Sequence, residues 1–207
     1  MSEHRFRHFI GPALFEAVFV VLGVVLALAA NEWRKSRADI AQANTALTEI
    51  VRELDANRQA VTAALDYHHG LIQKITQAAN DSSKPSLRDF SRGFIAPAQV
   101  HRTAWSAATE IGVLTSMPYD SVVALSRVYA QQEHYQEQAK SVAQIIYAEL
   151  YRGGAPAIIA NADNLVNVLQ IFVYREQQLL ETYDTLLNGT FSEHRLQLAN
   201  LLPLDSK

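Results

Sequence analysis

Apolar residues follow two patterns in this chain, first one unbroken run and then a series of stripes. The run, Phe9 to Asn31 (FIGPALFEAVFVVLGVVLALAAN), is apolar on every side and carries a single charge, Glu16. Coiled as an α-helix at ~1.5 Å per residue it measures about 34 Å, enough to cross a hydrocarbon core of ~30 Å. A helix without a polar face belongs in lipid or deep inside a protein, and this pattern predicts a transmembrane helix.

The stripes begin where the run ends. From Asn31 to Ala79 there is no proline and one glycine, Gly70. Ile40, Leu47, Ile50, Val51, Leu54, Val61, Leu65, Ile72 and Ile75 keep one helical face apolar, so the span is expected to continue as one rod. Asn57 and Arg58 interrupt this stripe, and a change of packing partner is expected there. Asn80 to Pro85 is composed of turn formers. Ser86 to Gly93 suits a short helix, with Ser86 as N-cap and Asp89 placed as in a capping box. Pro97 suits the first turn of another helix reaching Ile111, closed by Gly112.

Pro118 opens a long helix from Tyr119 to about Tyr151. Its apolar set is Val122, Val123, Leu125, Val128, Tyr129, Tyr135, Val142, Ile145, Ile146 and Leu150. Gly153-Gly154 ends it, and Pro156 blocks continuation. A last long helix is expected from about Ala157 to Leu187, with Leu165, Leu169, Phe172, Leu179, Leu180, Tyr183 and Leu187 facing inward. Asn188-Gly189 stops it, and Phe191 to Leu202 resembles a short helical tail. No segment alternates at period two for long enough to form a strand. The expected fold is all-α, an N-terminal transmembrane helix continuing into an antiparallel helical bundle. The expected organisation is a basic tail over 1–8, the span over 9–31 and the bundle over 32–207.

A cleaved signal peptide competes with a retained anchor. Ala27-Leu28-Ala29 meets the small-x-small cleavage rule, and the uncharged stretch Ala17 to Ala30 has signal-peptide length. Against cleavage stand Glu16 in the apolar core, Trp33 at the position of an interfacial anchor, and Arg34-Lys35 just beyond. Basic residues flank both ends, Arg5 and Arg7 before and Arg34, Lys35 and Arg37 after, so their count alone leaves the orientation undecided. A short basic tail before an N-terminal anchor favours a cytoplasmic N-terminus and a periplasmic domain. The absence of cysteine permits either side.

Composition narrows the chemistry. The net charge is −3 and no block of like charges occurs, which gives no footprint for nucleic acid. Without cysteine, thiol catalysis and cysteine-based zinc sites are excluded. No phosphate-binding loop, dinucleotide fingerprint, HExxH or GxSxG is present. A di-iron bundle needs Glu-x-x-His pairs, whereas Glu133-His134 and Glu193-His194 are adjacent. His68 and His69 diverge by ~100° around a helix, and His134 with Glu137 offers at most two ligands. These histidines are expected at the surface or the core edge, and no catalytic, cofactor or metal site is assigned. Tyr129, Tyr135, Tyr147, Tyr151, Tyr174 and Tyr183 are expected to pack within the bundle.

The span follows a motif of Glu, Gly seven residues later, Ala-Leu at eleven and twelve, Asn at fifteen and Trp at seventeen. Here these are Glu16, Gly23, Ala27-Leu28, Asn31 and Trp33. It resembles an uncharacterised family of bacterial single-pass membrane proteins with a Glu-containing N-terminal span ending in Asn-x-Trp. A second stretch, Thr103-Ala104-Trp105 through Gly112-Val113-Leu114 to Leu125-Ser126 and Tyr129, is similar to one in the same proteins. The resemblance implies a membrane-anchored helical domain of the bacterial inner membrane, and it brings no catalytic residues.

Glu16 is the costly residue, because a carboxylate within a span carries a penalty of a few kcal/mol and marks a functional candidate. Helix–helix packing and proton relay are its two candidate roles. Gly23 and Ala27 form a small-xxx-small pair that admits a second helix closely, and Ala30 extends that surface. Asn31 and Trp33 mark the interfacial end. The expected function is a non-enzymatic membrane-anchored module for scaffolding, assembly or sensing, without a cofactor. Its expected partners are the lipid bilayer and, through the span, a second copy or other membrane proteins. The alternative is an accessory subunit of an ion- or proton-translocating complex that uses Glu16.

Overall fold

The computed structural model describes residues 7–194, with side chains from residue 15 onward. The tail over 1–8 lies mostly outside the described residues, as does most of the expected Phe191–Leu202 helix. Four α-helices occur, α1 (Arg7–Asn80), α2 (Thr103–Glu110), α3 (Tyr119–Ala160) and α4 (Ala162–Thr185), and no strand forms among the described residues. The fold is all-α. The chain divides into two compact units, Met1–Asn44 and Thr45–Lys207, with the boundary inside α1.

The described part of the first unit is helix alone. Every described side chain from Phe15 to Ala38 is exposed, including Phe15, Phe19, Leu22, Val25 and Leu28. One helix in the structure is long and apolar enough to cross a membrane, and its apolar window is this one.

The second unit is a bundle of the C-terminal part of α1 with α3 and α4. Gln132 with Tyr183 and Tyr135 with Glu176 pair α3 antiparallel to α4, while Arg58–Asp184 and His68–Glu176 pair α1 antiparallel to α4. The core is built from Ile50, Leu54, Val61, Leu71 and Ile75 of α1, Leu125 and Val128 of α3, and Leu169, Phe172, Leu179 and Tyr183 of α4. Each set recurs at helical spacing, so burying these stripes against one another supplies the driving force for the fold.

Several boundaries differ from expectation. Ser86 and Asp89 do form a capping box, but the helix they open is a single 3-10 turn, Leu87–Phe90. No helix starts at Pro97; α2 begins at Thr103, and Ile95 to Arg102 form an irregular strap. Gly112 closes α2 as expected, in the left-handed conformation (φ 73°) that glycine adopts without strain. Gly154 breaks the α3 geometry (φ 67°, ψ −175°), yet helical hydrogen bonding resumes to Ala160 and a second break follows at Asn161. The chain therefore turns into α4 in two steps, and α4 starts at Ala162 rather than near Ala157. At its far end α4 stops at Thr185 in a π turn, Leu186–Thr190, that contains Asn188-Gly189 and returns the buried Phe191 to the core.

Some expected core residues lie outside it. Ile40, Ile145, Leu150, Tyr147, Tyr151 and Tyr174 are exposed, so only Tyr129, Tyr135 and Tyr183 of the six tyrosines pack inside. After Ala139 the next buried residue of α3 is Ile158, which joins Leu71, Ile75 and Leu165 in the core.

Candidate functional site: a strap held by buried polar side chains

Four polar residues occupy positions in the apolar stripes: Asn57 and His68 of α1, Gln132 of α3 and Glu176 of α4. All four are buried, and a buried polar group costs several kcal/mol unless it is hydrogen-bonded. Each has its partner. Three of them, with Glu53 and Tyr135, serve the strap.

The strap crosses α1 in the opposite direction. Asn57 exchanges two bonds with the backbone of His101, its Nδ2 donating to the carbonyl (2.7 Å) and its Oδ1 accepting the amide N–H (2.8 Å). Eleven residues further along α1, His68 Nε2 accepts the Ala96 N–H at 3.3 Å. Eleven helical steps span about 16 Å, and the chain from Ala96 to His101 covers that distance only at about 3.3 Å per residue step, the extended limit. An extended chain outside a sheet leaves its amides and carbonyls unpaired, and side chains supply the partners instead. Tyr135 Oη accepts the Ala98 N–H (2.7 Å), Gln136 donates to the Val100 carbonyl (2.7 Å) and the Tyr67 hydroxyl donates to the Gly93 carbonyl. This demand explains why the Pro97 helix does not form. Proline's missing donor costs nothing here, and the neighbouring amides are already bonded to α1 and α3.

At the strap's end, Glu53 accepts the Ala104 N–H (2.9 Å), one of the free amides of the first turn of α2, which has no side-chain cap of its own. Its other oxygen accepts the Tyr129 hydroxyl (2.7 Å). Trp105 stacks on Tyr129 with ring centroids 5.1 Å apart, so two residues of the second resemblance stretch meet here.

His68 and Glu176 are fully buried. Nδ1 of the ring lies 2.9 Å from Glu176 Oε2, and the Tyr135 hydroxyl donates to Oε1 at 2.8 Å. Because Nε2 accepts from Ala96, the ring proton belongs on Nδ1 and points at Glu176. The carboxylate thus receives two donors, and no lysine or arginine pairs with it among the described residues. Phe172 covers the imidazole at 5.3 Å. Burial first and the Glu176 charge second push the Tyr135 hydroxyl far above the ordinary tyrosine range, and burial with Glu53 does the same to Tyr129. Tyr183, which accepts from Gln132, is raised by burial.

The residues singled out in the sequence stand apart from this cluster. Glu16, Gly23, Ala27 and Asn31 lie exposed along the first unit, and Trp33 carries the Arg37 guanidinium 4.8 Å from its ring centre. His134 and Glu137 approach to 3.6 Å on the exposed face of α3, beside a cleft that also contains Gln131, Tyr135 and Arg175. No group of three potential metal ligands occurs among the described residues. His68, expected at the surface or core edge, is instead a core residue, while His69 faces outward as their divergence requires. Glu176 was legible in principle. It falls in register with Leu165, Leu169, Phe172, Leu179 and Tyr183, where an apolar residue is expected.

No protein-family model, curated protein or solved structure matches this chain.

Proposed function

We propose that this chain is a non-enzymatic helical module held in a bacterial inner membrane by Phe9 to Asn31, with its bundle in the periplasm, where it scaffolds, assembles or senses. The observation that carries the reading is the wholly exposed apolar surface from Phe15 to Ala30. A contiguous apolar surface of this length is incompatible with water, and lipid is the solvent that matches it. The short basic tail before the span and the resemblance of its Glu16, Gly23, Ala27, Asn31 and Trp33 motif support the placement. The polar cluster supports the non-enzymatic part. Both nitrogens of His68 and both oxygens of Glu176 are engaged in holding the fold, which leaves none of them for a substrate.

Membrane extraction and topology test this reading together. The protein should resist alkaline carbonate, keep its N-terminal residues, and give an active C-terminal alkaline phosphatase fusion with a dark fluorescent-protein fusion. A mature N-terminus at Ala30 or Asn31 would remove the anchor, and the reverse fusion result would move the bundle to the cytoplasm.

Glu16 favours a second reading, an accessory subunit of an ion- or proton-translocating complex. It lies exposed in an apolar helix with no hydrogen-bond partner among the described residues, the usual mark of a carboxylate that works with another chain. Single-cysteine cross-linking along the span separates the two. If the carboxylate serves packing, Glu16→Gln keeps cross-links while Glu16→Ala and Gly23→Leu lose them. If it serves a relay, Glu16→Gln abolishes proton-coupled activity and leaves the cross-links intact.

A further inference from the structure

We propose that His68 is a pH-operated latch for the strap. The neutral ring holds Ala96, and the protonated ring releases it while keeping its bond to Glu176. The inference rests on the Thr45–Lys207 unit alone and goes beyond the membrane reading, so it stands whichever way that reading is decided.

The chemistry follows from the two ring nitrogens. In the neutral form Nδ1–H donates to Glu176 Oε2 and the Nε2 lone pair accepts the Ala96 N–H. A proton can be added only at Nε2, because Nδ1 already carries one. Once added, two N–H groups face each other across 3.3 Å, and the acceptor that held the strap is gone. The added charge is at the same time matched by Glu176, a buried carboxylate whose only ionic partner among the described residues is this ring. Protonation therefore turns a buried anion into a neutral pair, and the strap bond is what is given up for it. The Nδ1–H···Oε2 contact shortens and strengthens as it becomes charge-assisted.

The other groups around the ring do not compensate. From α4 come Glu176 and the apolar Phe172. From α3 comes Tyr135, which donates to the far oxygen of Glu176 and whose raised hydroxyl stays neutral throughout the acid and neutral range. From α1 itself Tyr67 stands with its ring centre 5.9 Å away, and Arg92 lies over the outer face of that ring at 5.0 Å. Along the strap, Arg92 and Lys140 line an open groove with His101, and the positive charge of Arg92 and Lys140 opposes any further cation at the strap rather than holding it. None of these offers the Ala96 amide a new acceptor. The next strap bond, from the Ala98 N–H to Tyr135, has no direct contact with His68 and meets it only through Glu176, so the release is local.

That locality makes Ala98 the internal reference. Full-length protein in detergent micelles, labelled with 15N-alanine and 15N-histidine, gives amide protection factors for Ala96 and Ala98 together with the His68 ring shifts. As the pH is lowered from about 7.5 to about 5, the ring shifts report when His68 passes from the Nδ1–H tautomer to the cation. Over the same interval Ala96 protection should fall about tenfold, while Ala98 changes by less than about twofold. His68→Gln retains an acceptor for Ala96 and cannot titrate, so its Ala96 protection should stay flat with pH. If that variant does not fold, Glu176→Gln decides the matter. Removing the carboxylate charge should move the His68 titration and the Ala96 loss together to lower pH. Ala96 protection that is constant with pH, a parallel loss at Ala98, or a midpoint unmoved by Glu176→Gln would overturn the latch.

Discussion

Two carboxylates in apolar surroundings, Glu16 in the first unit and Glu176 in the second, illustrate opposite solutions to one physical problem. Glu176 sits at the centre of a bundle where water does not reach, and the fold itself supplies the His68 ring and the Tyr135 hydroxyl to hold it. Glu16 sits on the stretch of α1 from Phe15 to Ala38, whose side chains are all exposed, and nothing among the described residues holds it. A packed core must satisfy its own polar groups because no solvent can enter to do so. A lone span can leave that task to another molecule. The core carboxylate is therefore held by the fold, while Glu16 is left exposed on the surface of α1.

The sharpest way to break this contrast is to remove the partner from each. His68→Leu leaves Glu176 charged with one donor and should cost the bundle about 3–5 kcal/mol in chemical denaturation, whereas Glu16→Leu should leave bundle stability unchanged. A loss of less than about 1 kcal/mol in His68→Leu would show that Glu176 is not held as a charge.

The second test is alkaline pH. Tyr129, Tyr135 and Tyr183 are all raised above the ordinary tyrosine value in the fold. A group with a raised folded value contributes its full stability below the unfolded value near 10 and loses it as pH climbs above that. Each tyrosine should then remove about 1.4 kcal/mol per pH unit above pH 10, so the three together should give a steep loss. Phenylalanine at all three positions should flatten it, and an equal alkaline slope in that triple variant would reject the cause.

Smaller effects test the strap. Asn57→Ala leaves the His101 N–H and carbonyl without partners and should cost about 1–3 kcal/mol, with faster amide exchange at His101. Ser86→Ala removes only the cap of the 3-10 turn and should cost about 1 kcal/mol or less by the same denaturation measurement. If Ser86→Ala proved the more damaging of the two, the strap would not be the element its side-chain partners stabilise.

Much of this organisation is legible in the order of residues. The run from Phe9 to Asn31 shows as a candidate membrane span because its apolar character does not depend on any neighbour. The stripes of α1, α3 and α4 show as helices because period 3.6 is a local property, and Gly112, Gly154 and Asn188-Gly189 mark breaks because backbone freedom is local as well. The interruption at Asn57 is visible in the stripe as well. It marked the residue that grips His101, although nothing within the stripe could name its partner.

What only the tertiary structure decided is where the polar exceptions go. Pro97 is an acceptable first residue of a helix in isolation. It lies in an extended strap because Asn57, His68, Tyr135 and Gln136, from helices distant in the chain, bond the backbone around it first. Likewise His68 and Glu176 are 108 residues apart, and neither stripe alone states that the other will bring its complement. Apolar burial is additive and non-directional, so periodicity predicts it. A hydrogen bond needs two specific groups at one distance and angle, and only the folded chain fixes both.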